Sequence, residues 1–362
     1  MINKERLIAT FLELVMIDSP SGDEEKVTLF LEKILWPLGF TTVRDNHGNL
    51  IASNGGVDPL VLSAHMDTVE PGRGIAPRII GSRIISDGTT ILGGDCKAGI
   101  AAILEALQSL DEDNIHPIPL EVVFTRGEEI GLMGAKNLEF PRLHGHQAIV
   151  FDGNGPVTKV TSASPTYMRF DLEVTGRAAH AGVEPEKGLS AIKILAEIVS
   201  TLPQGRLDSE TTINVGTISG GSVRNTVPDK ASFTGEFRSR NTETIDLLKL
   251  EINEILSAAR ERYQDAIIEE DIRMEFQMYQ LDLDDPMIIK VKEALTKIGL
   301  KPEIEPSGGG TDANIFNLNN IQSVVVGMST QDMHTTREFV EIADLVDTAR
   351  FCDTLIRKDP AD

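Results

Sequence analysis

Apolar positions recur at helical spacing from the start of the chain. Leu7, Ile8, Phe11, Leu12 and Val15 line one face of a first helix. Ser21 and Glu24 stand in capping-box spacing ahead of Val27, Leu29, Phe30, Leu31 and Leu35, which predicts a second amphipathic helix. The pattern then changes. Short runs rich in Val and Ile at 60–64 (LVLSA), 120–124 (LEVVF), 148–151 (AIVF) and 323–327 (SVVVG) read as strands buried on both faces. A helical segment, AGIAAILEALQSL at 98–110, lies between the first two. Strands alternating with helices predict an α/β sheet flanked by helices on both sides.

The middle of the chain has a different texture. Segment 166–175 (TYMRFDLEVT) alternates apolar and polar residues, as a half-exposed antiparallel strand does. A helix near 188–201, strands near 211–218 and 230–238, a long helix near 242–263 and a strand near 267–278 follow. Together they form an α+β insert with boundaries near Ser164 and Gln280. The expected organisation is a first domain over 1–164, the insert over 165–280, and a return to the first domain over 281–362. The return carries a helix at 286–298, the strand at 323–327 and a final helix at 343–356.

Composition agrees with this and narrows the function. The chain has 362 residues, with 41% hydrophobic and 25% charged, enough apolar material for two folded domains. Lys and Arg number 34 against 56 Asp and Glu, a net charge of −22, which argues against nucleic acid and anionic lipid as partners. No apolar run approaches the roughly 18 residues of a membrane span. The N-terminal segment is no signal peptide, because Glu13 interrupts its apolar positions. Cys96 and Cys352 make no disulfide framework, so a cytoplasmic enzyme or binding protein is expected.

Candidate chemistry falls at the strand ends. Strand 60–64 runs into His65, with Asp67 two residues on; strand 120–124 leads through Thr-Arg-Gly to Glu128 and Glu129. Strand 148–151 runs into Asp152, His334 follows strand 323–327, and Asp95 sits on a Gly-rich turn before helix 98–110. Sites in open α/β sheets form beyond the carboxyl ends of strands. Singly, each residue has an ordinary reading: a satisfied histidine, a helix-capping aspartate, a solvated pair of glutamates. Gathered, two imidazoles with several carboxylates suit Zn²⁺ or a similar borderline metal rather than Ca²⁺ or Mg²⁺. So many carboxylates repel one another unless cations lie between them. Two ions sharing a bridging carboxylate would use the whole set, and such sites activate water for hydrolysis.

The chain resembles the M20 family of cocatalytic metallopeptidases, which includes peptidase T and related aminoacylases and deacylases. The resemblance rests on SAHMDTVEPG (63–72), LGGDCKAGIAAILEAL (92–107), FTRGEEIGLMGAK (124–136), VFDGN (150–154), GRAAHAG (176–182), GSVRNTVPDKA (221–231), EFRSR (236–240), GGGTDANIFN (308–317) and MHTTREFV (333–340). The last two, with an aspartate at 152, are most similar to the peptidase T branch. The resemblance implies a zinc-exopeptidase-like catalytic domain with an inserted lid and dimerisation domain. It implies two divalent metal ions per chain, zinc foremost and cobalt or manganese as alternatives. Asp95 would bridge them, with His65 and Asp152 completing one site and Glu129 and His334 the other. Asp67 would accept a hydrogen bond from the far nitrogen of His65, and Glu128 would be the general base. In the insert, His180 resembles the histidine that stabilises the tetrahedral oxyanion, sometimes supplied by a partner subunit. Arg238, with Arg240 as a neighbouring competitor, and Asn225 resemble substrate contacts, as do Gly309 and Thr311 in the Gly308–Gly310 run and its exit.

Two local expectations accompany the resemblance. Relatives commonly have an acidic residue where this chain has Cys96, whose thiol would be a spectator, an oxidation-sensitive neighbour or a stray metal ligand. The family also tends to a cis peptide after the bridging aspartate. The implied activity is an aminopeptidase acting on tripeptides or other short peptides, with a homodimer formed through the insert. The rival within the family is an N-acyl-amino-acid deacylase, for which glutamate at 152 is more usual. Outside it stand a metal-dependent binding protein without catalysis and a cysteine hydrolase built on Cys96. Nucleotide binding has no support, since neither G-x-G-x-x-G nor G-x-x-x-x-G-K-[ST] occurs.

Overall fold

The four apolar runs become neighbouring strands at the centre of a nine-stranded mixed sheet. Its order is Thr41–Arg44, Leu50–Ser53, Leu120–Thr125, Leu60–His65, Gln147–Gly153, Gln322–Gly327, Lys159–Ser164 and Tyr279–Gln280, with Glu303–Pro306 beside Lys159–Ser164. The central pairings are parallel: His65 lies opposite Thr125, Leu60 opposite Gln147, and Gln322 opposite Gln147. Strands covered on both faces need apolar residues throughout, and Leu62, Val122, Ile149 and Val324 are fully buried. The computed structural model describes residues 1–358. Among them, no helix is long and apolar enough to cross a membrane.

The described residues divide into two compact units: Met1–Ala163 with Gln280–Ser307 and Thr311 onward, and Ser164–Tyr279 with Gly308–Gly310. In the first unit the Gly94–Glu112 helix packs against the Lys4–Met16 and Ile342–Ile356 helices. Every residue from Gly94 to Leu107 is buried, so this helix is apolar nearly all round. It starts four residues before the predicted position, yet Asp95 (φ −82°, ψ 106°) and Cys96 (φ −108°, ψ 20°) are not helical. Gly99 lets it approach the Gln147–Gly153 strand, because a Cβ there would lie 2.6 Å from the Phe151 carbonyl oxygen.

One local expectation is corrected. Ser21 and Glu24 do not form a capping box. The helix spans Glu25–Leu35 with Glu24 at its N-cap and no side-chain cap bond. Both side chains have stronger partners elsewhere, described below. The pattern also gave no warning of a four-stranded sheet in the order Thr330–Gln331, Phe339–Glu341, Arg83–Ile85 and Arg78–Ile80.

The second unit is a five-stranded antiparallel sheet in the order Gly205–Arg206, Thr211–Gly220, Lys230–Ser239, Thr166–Thr175, Ile267–Phe276. Alternation in Thr166–Thr175 sends Met168, Phe170, Leu172 and Val174 into a core shared with the Ala191–Thr201 and Thr242–Arg262 helices. Phe170 meets Phe233 edge-on at 5.0 Å between ring centroids.

Candidate active site

The strand ends of the first unit bring together His65, Asp95, Glu128, Glu129, Asp152 and His334. His65 is the last residue of its strand, and its Nε2 lies 3.0 Å from Asp95 Oδ1 and 3.6 Å from Asp152 Oδ1. The other Asp95 oxygen, Oδ2, lies 3.1 Å from His334 Nε2, and that nitrogen is 3.0 Å from Glu129 Oε1. Asp95 therefore faces a different histidine with each oxygen. Ligand atoms of His65, Asp95, Cys96 and Asp152 fall within 4.8 Å of one another, as do those of Asp95, Glu129 and His334, and those of His65, Glu128 and Glu129.

The electrostatics are those of an acid-rich site. Burial, reinforced by Asp152, pushes the Glu128 carboxyl well above its usual range. Burial likewise raises Asp152 to about 7 and moves Glu129 upward. Burial also opposes ionisation of Asp95, but its bonds with His334 and His65 hold it at about 2. His334 is raised to about 10 by Asp95 and Glu129. Protonated imidazole thus supplies the positive charge between carboxylates, which is the place a divalent ion would take. Nitrogen and oxygen donors in this mixture fit a borderline metal.

The loop carrying Glu128 and Glu129 is anchored from three directions. Asp67 accepts from the backbone N–H groups of Glu128 (3.0 Å) and Glu129 (3.2 Å) and from the Ser21 hydroxyl (2.6 Å). Buried Glu24 accepts from Gly127 N–H at 3.1 Å and from Arg126 Nε and Nη2 at 2.8 and 2.6 Å. Asn49 Oδ1 receives the Arg126 N–H at 3.1 Å. Asp67 meets the far nitrogen of His65 through two groups. His65 Nδ1 is 2.9 Å from the Asp67 backbone carbonyl and 3.5 Å from its carboxylate, so the carbonyl is the nearer partner. The carboxylate also serves the Glu128–Glu129 loop. Burial opposes its ionisation, yet His65, Ser21 and the Glu128 N–H keep its pKa below the ordinary value.

The chain as a whole is similar to known proteins. Residues 163–264 match the M20 peptidase dimerisation domain, and residues 49–151 match peptidase family M28. The uncharacterized protein YqjE of Bacillus subtilis is 36% identical over 371 residues, covering 99% of each chain. The crystal structure of aminopeptidase PepT from Bacillus cereus superposes with a TM-score of 0.89 at 36% identity, covering 98% of each chain. A tripeptidase from Staphylococcus aureus gives 0.93 at 33% identity, again over 98% of each. The chain belongs to the M20 peptidase family, in its peptidase T-like branch. It is a metal-dependent exopeptidase of that family.

Against this M20 background the remaining predicted residues can be located. His180, Asn225, Arg238 and Gly309 belong to the second unit. His180 and Asn225 lie on exposed neighbouring loops, joined by the His180–Thr226 bridge and by Ala181 N–H donating to the Asn225 carbonyl at 2.9 Å. The Arg238 fork is engaged by Glu236, at 3.1 Å from Nε and 2.9 Å from Nη2, and its guanidinium lies 4.3 Å from the Tyr167 ring centroid. Gly309 accepts from the Ser164 hydroxyl at 2.8 Å. Thr311, in the first unit, caps the Asp312–Leu318 helix in a capping box with Asn314, which commits both its hydroxyl and its N–H.

The Asp95–Cys96 peptide is cis, as for the M20 pattern. Cys96 is fully buried and donates its thiol hydrogen to the Phe151 carbonyl, next to Asp152. Burial pushes that thiol well up. Sequence reasoning missed Ser21, Glu24 and Arg126, and also Glu338, a buried carboxylate inside the MHTTREFV stretch. Lys97 was missed too: two residues after Asp95 in the chain, it is fully buried, donates to the Ile17 carbonyl at 2.8 Å, and is lowered by burial to about 7.

Proposed function

We propose that this M20 peptidase removes the N-terminal residue from tripeptides and other short peptides, with two divalent metal ions, zinc foremost, held at the strand ends. The observation that carries the two-ion reading is Asp95, whose two oxygens stand 3.0 and 3.1 Å from the Nε2 atoms of His65 and His334. His65 and Asp152 would hold one ion with Asp95, and Glu129 and His334 the other. Bound there, such ions polarise the scissile carbonyl and make a water more acidic.

The chain's own residues perform the proton transfers. Glu128 is half-buried beside other acids, and desolvation with the nearby Asp152 charge raises its proton affinity. It takes a proton from the attacking water and delivers it to the leaving amine nitrogen. Asp67 holds Glu128 and Glu129 through their backbone N–H groups. His180 would stabilise the developing oxyanion by donating an N–H. Arg238 would meet the peptide carboxylate in place of Glu236, with Asn225, Gly309 and Thr311 along the peptide. The match of residues 163–264 to a dimerisation domain supports assembly as a homodimer through the second unit. Two free, buried cysteines support a cytoplasmic location.

The deciding experiment pairs metal analysis with a substrate panel. Two ions per chain and turnover of di- and tripeptides above N-acetyl amino acids are expected. Hydrolysis confined to the acylated set would replace the aminopeptidase reading with the deacylase one.

A further inference from the structure

Asp95 has a demanding task under the two-ion reading. Both of its oxygens must point in set directions at once, toward His65 and toward His334. A small rotation of its backbone would realign one and lose the other. Yet Asp95 sits just where regular structure fails, since it and Cys96 have non-helical backbone angles at the head of a long helix. Regular helical backbone geometry does not hold it there.

We infer that Glu338 is the positioning residue that fixes Asp95, by gathering the backbone N–H groups leading into it around one buried carboxylate. Glu338 Oε2 accepts from the N–H groups of Leu92 and Gly93, both at 2.8 Å, and Oε1 accepts from Asp95 N–H at 3.1 Å. Gly93 stands at φ +74°, the left-handed conformation that turns successive N–H groups toward one anion. The carboxylate is 1% exposed, so water does not compete for these donors. Glu338 is itself held in place. Its N–H donates to the Thr335 carbonyl at 3.0 Å, and the following Phe339–Glu341 strand pairs with Arg83–Ile85. It also lies four residues after His334. One side chain therefore ties the segment that presents Asp95 to the segment that presents His334.

This role rests on the two-ion reading, so wild-type protein must first be shown to take up two Zn²⁺ per chain; fewer than two would overturn that reading and this one with it. Given two, Glu338→Gln should bind Zn²⁺ about ten- to hundredfold more weakly in competition with a chelator. The visible absorption of the Co²⁺-loaded variant should shift, and kcat should fall while KM stays within about twofold. A carboxylate that serves only the fold would lower the melting temperature of the metal-free chain and leave affinity and Co²⁺ spectrum at wild-type values. That result would overturn the assignment. If Glu338→Gln does not fold, Gly93→Ala reads the same carboxylate site from its other side, and should shift the Co²⁺ spectrum and weaken Zn²⁺ in the same way. A folded Gly93→Ala with wild-type metal binding, or failure of both variants to fold, would also overturn it.

Discussion

His334 is where protons and metal compete most directly. Its imidazolium is kept charged to about 10 by Asp95 and Glu129, both of which are also candidate ligands. In the metal-free chain this raised pKa contributes stability that is complete below the ordinary value of 6.5 and is lost as pH rises through about 10. A metal ion taking Nε2 must expel that proton, so the sign for binding is the reverse: affinity should climb with pH. The expected slope is about tenfold per pH unit for one displaced proton, between roughly pH 6.5 and 9. Calorimetric titration with Zn²⁺ at several pH values, in buffers of different ionisation enthalpy, measures both slope and proton count. A pH-independent affinity would show that His334 is not a ligand. Glu128 makes the complementary case. Glu128→Gln keeps the size of the side chain and removes the base, so turnover should drop about 10²- to 10⁴-fold while the metal content stays at the wild-type level. Wild-type turnover in that variant would end its assignment as base.

At the scale of elements, the site depends on how closely the Gly94–Glu112 helix approaches the Gln147–Gly153 strand. Asp95 is the second residue of the helix and Asp152 the last but one of the strand, so their separation sets the distance between two candidate ligands. Gly99→Ala would place a methyl group 2.6 Å from the Phe151 carbonyl oxygen and 2.7 Å from its Cβ. It should destabilise the chain by about 1–3 kcal/mol, as overpacking does, and weaken metal binding at the same time. Urea unfolding with and without chelator checks both; lost stability with unchanged metal affinity would show that the two elements move without disturbing the site. This scale also shows why part of the structure was legible in sequence and part was not. The central strands are short apolar runs and the Gly94–Glu112 helix a long apolar segment, and polar neighbours stand at their ends. His65, Asp67, Asp95, Glu128, Glu129, Asp152 and His334 could therefore be gathered from the sequence pattern, whereas their division into ligands and base came from the resemblance to the M20 family. Ser21 and Glu24 misled because capping-box spacing is a local signal. Their side chains instead answer to Asp67 and Arg126, which lie 46 and 102 residues away. Glu338 was hidden for the same reason, its donors lying about 240 residues earlier in a segment with no periodicity. The small sheet built on Arg78–Ile80 and Arg83–Ile85 has strands of three residues, too short to display a period of two.

At the scale of the whole molecule, the two units differ in what they can bind. Among the described residues, every clustered set of candidate ligands lies in the first unit, and the second unit is held by an apolar core. Metal removal should therefore destabilise the first unit selectively. An ion present at about 100 times its dissociation constant contributes about 2.7 kcal/mol to the folded state. At about 2–4 °C per kcal/mol for a unit of this size, chelation should lower the melting temperature of the first unit by about 5–10 °C for each ion lost. The sequence supplies its own probes. The single tryptophan, Trp36, lies in the first unit, whereas the three tyrosines, Tyr167, Tyr263 and Tyr279, all lie in the second. Trp36 emission followed on heating should report the shift caused by chelator, and tyrosine signals from the same sample should melt at an unchanged temperature. If both probes shifted together by the same amount, the units would be unfolding as one cooperative body, and the metal's contribution would belong to the whole chain. If neither shifted, the strand-end cluster would contribute nothing through bound metal to stability, and the two-ion reading would lose its thermodynamic support.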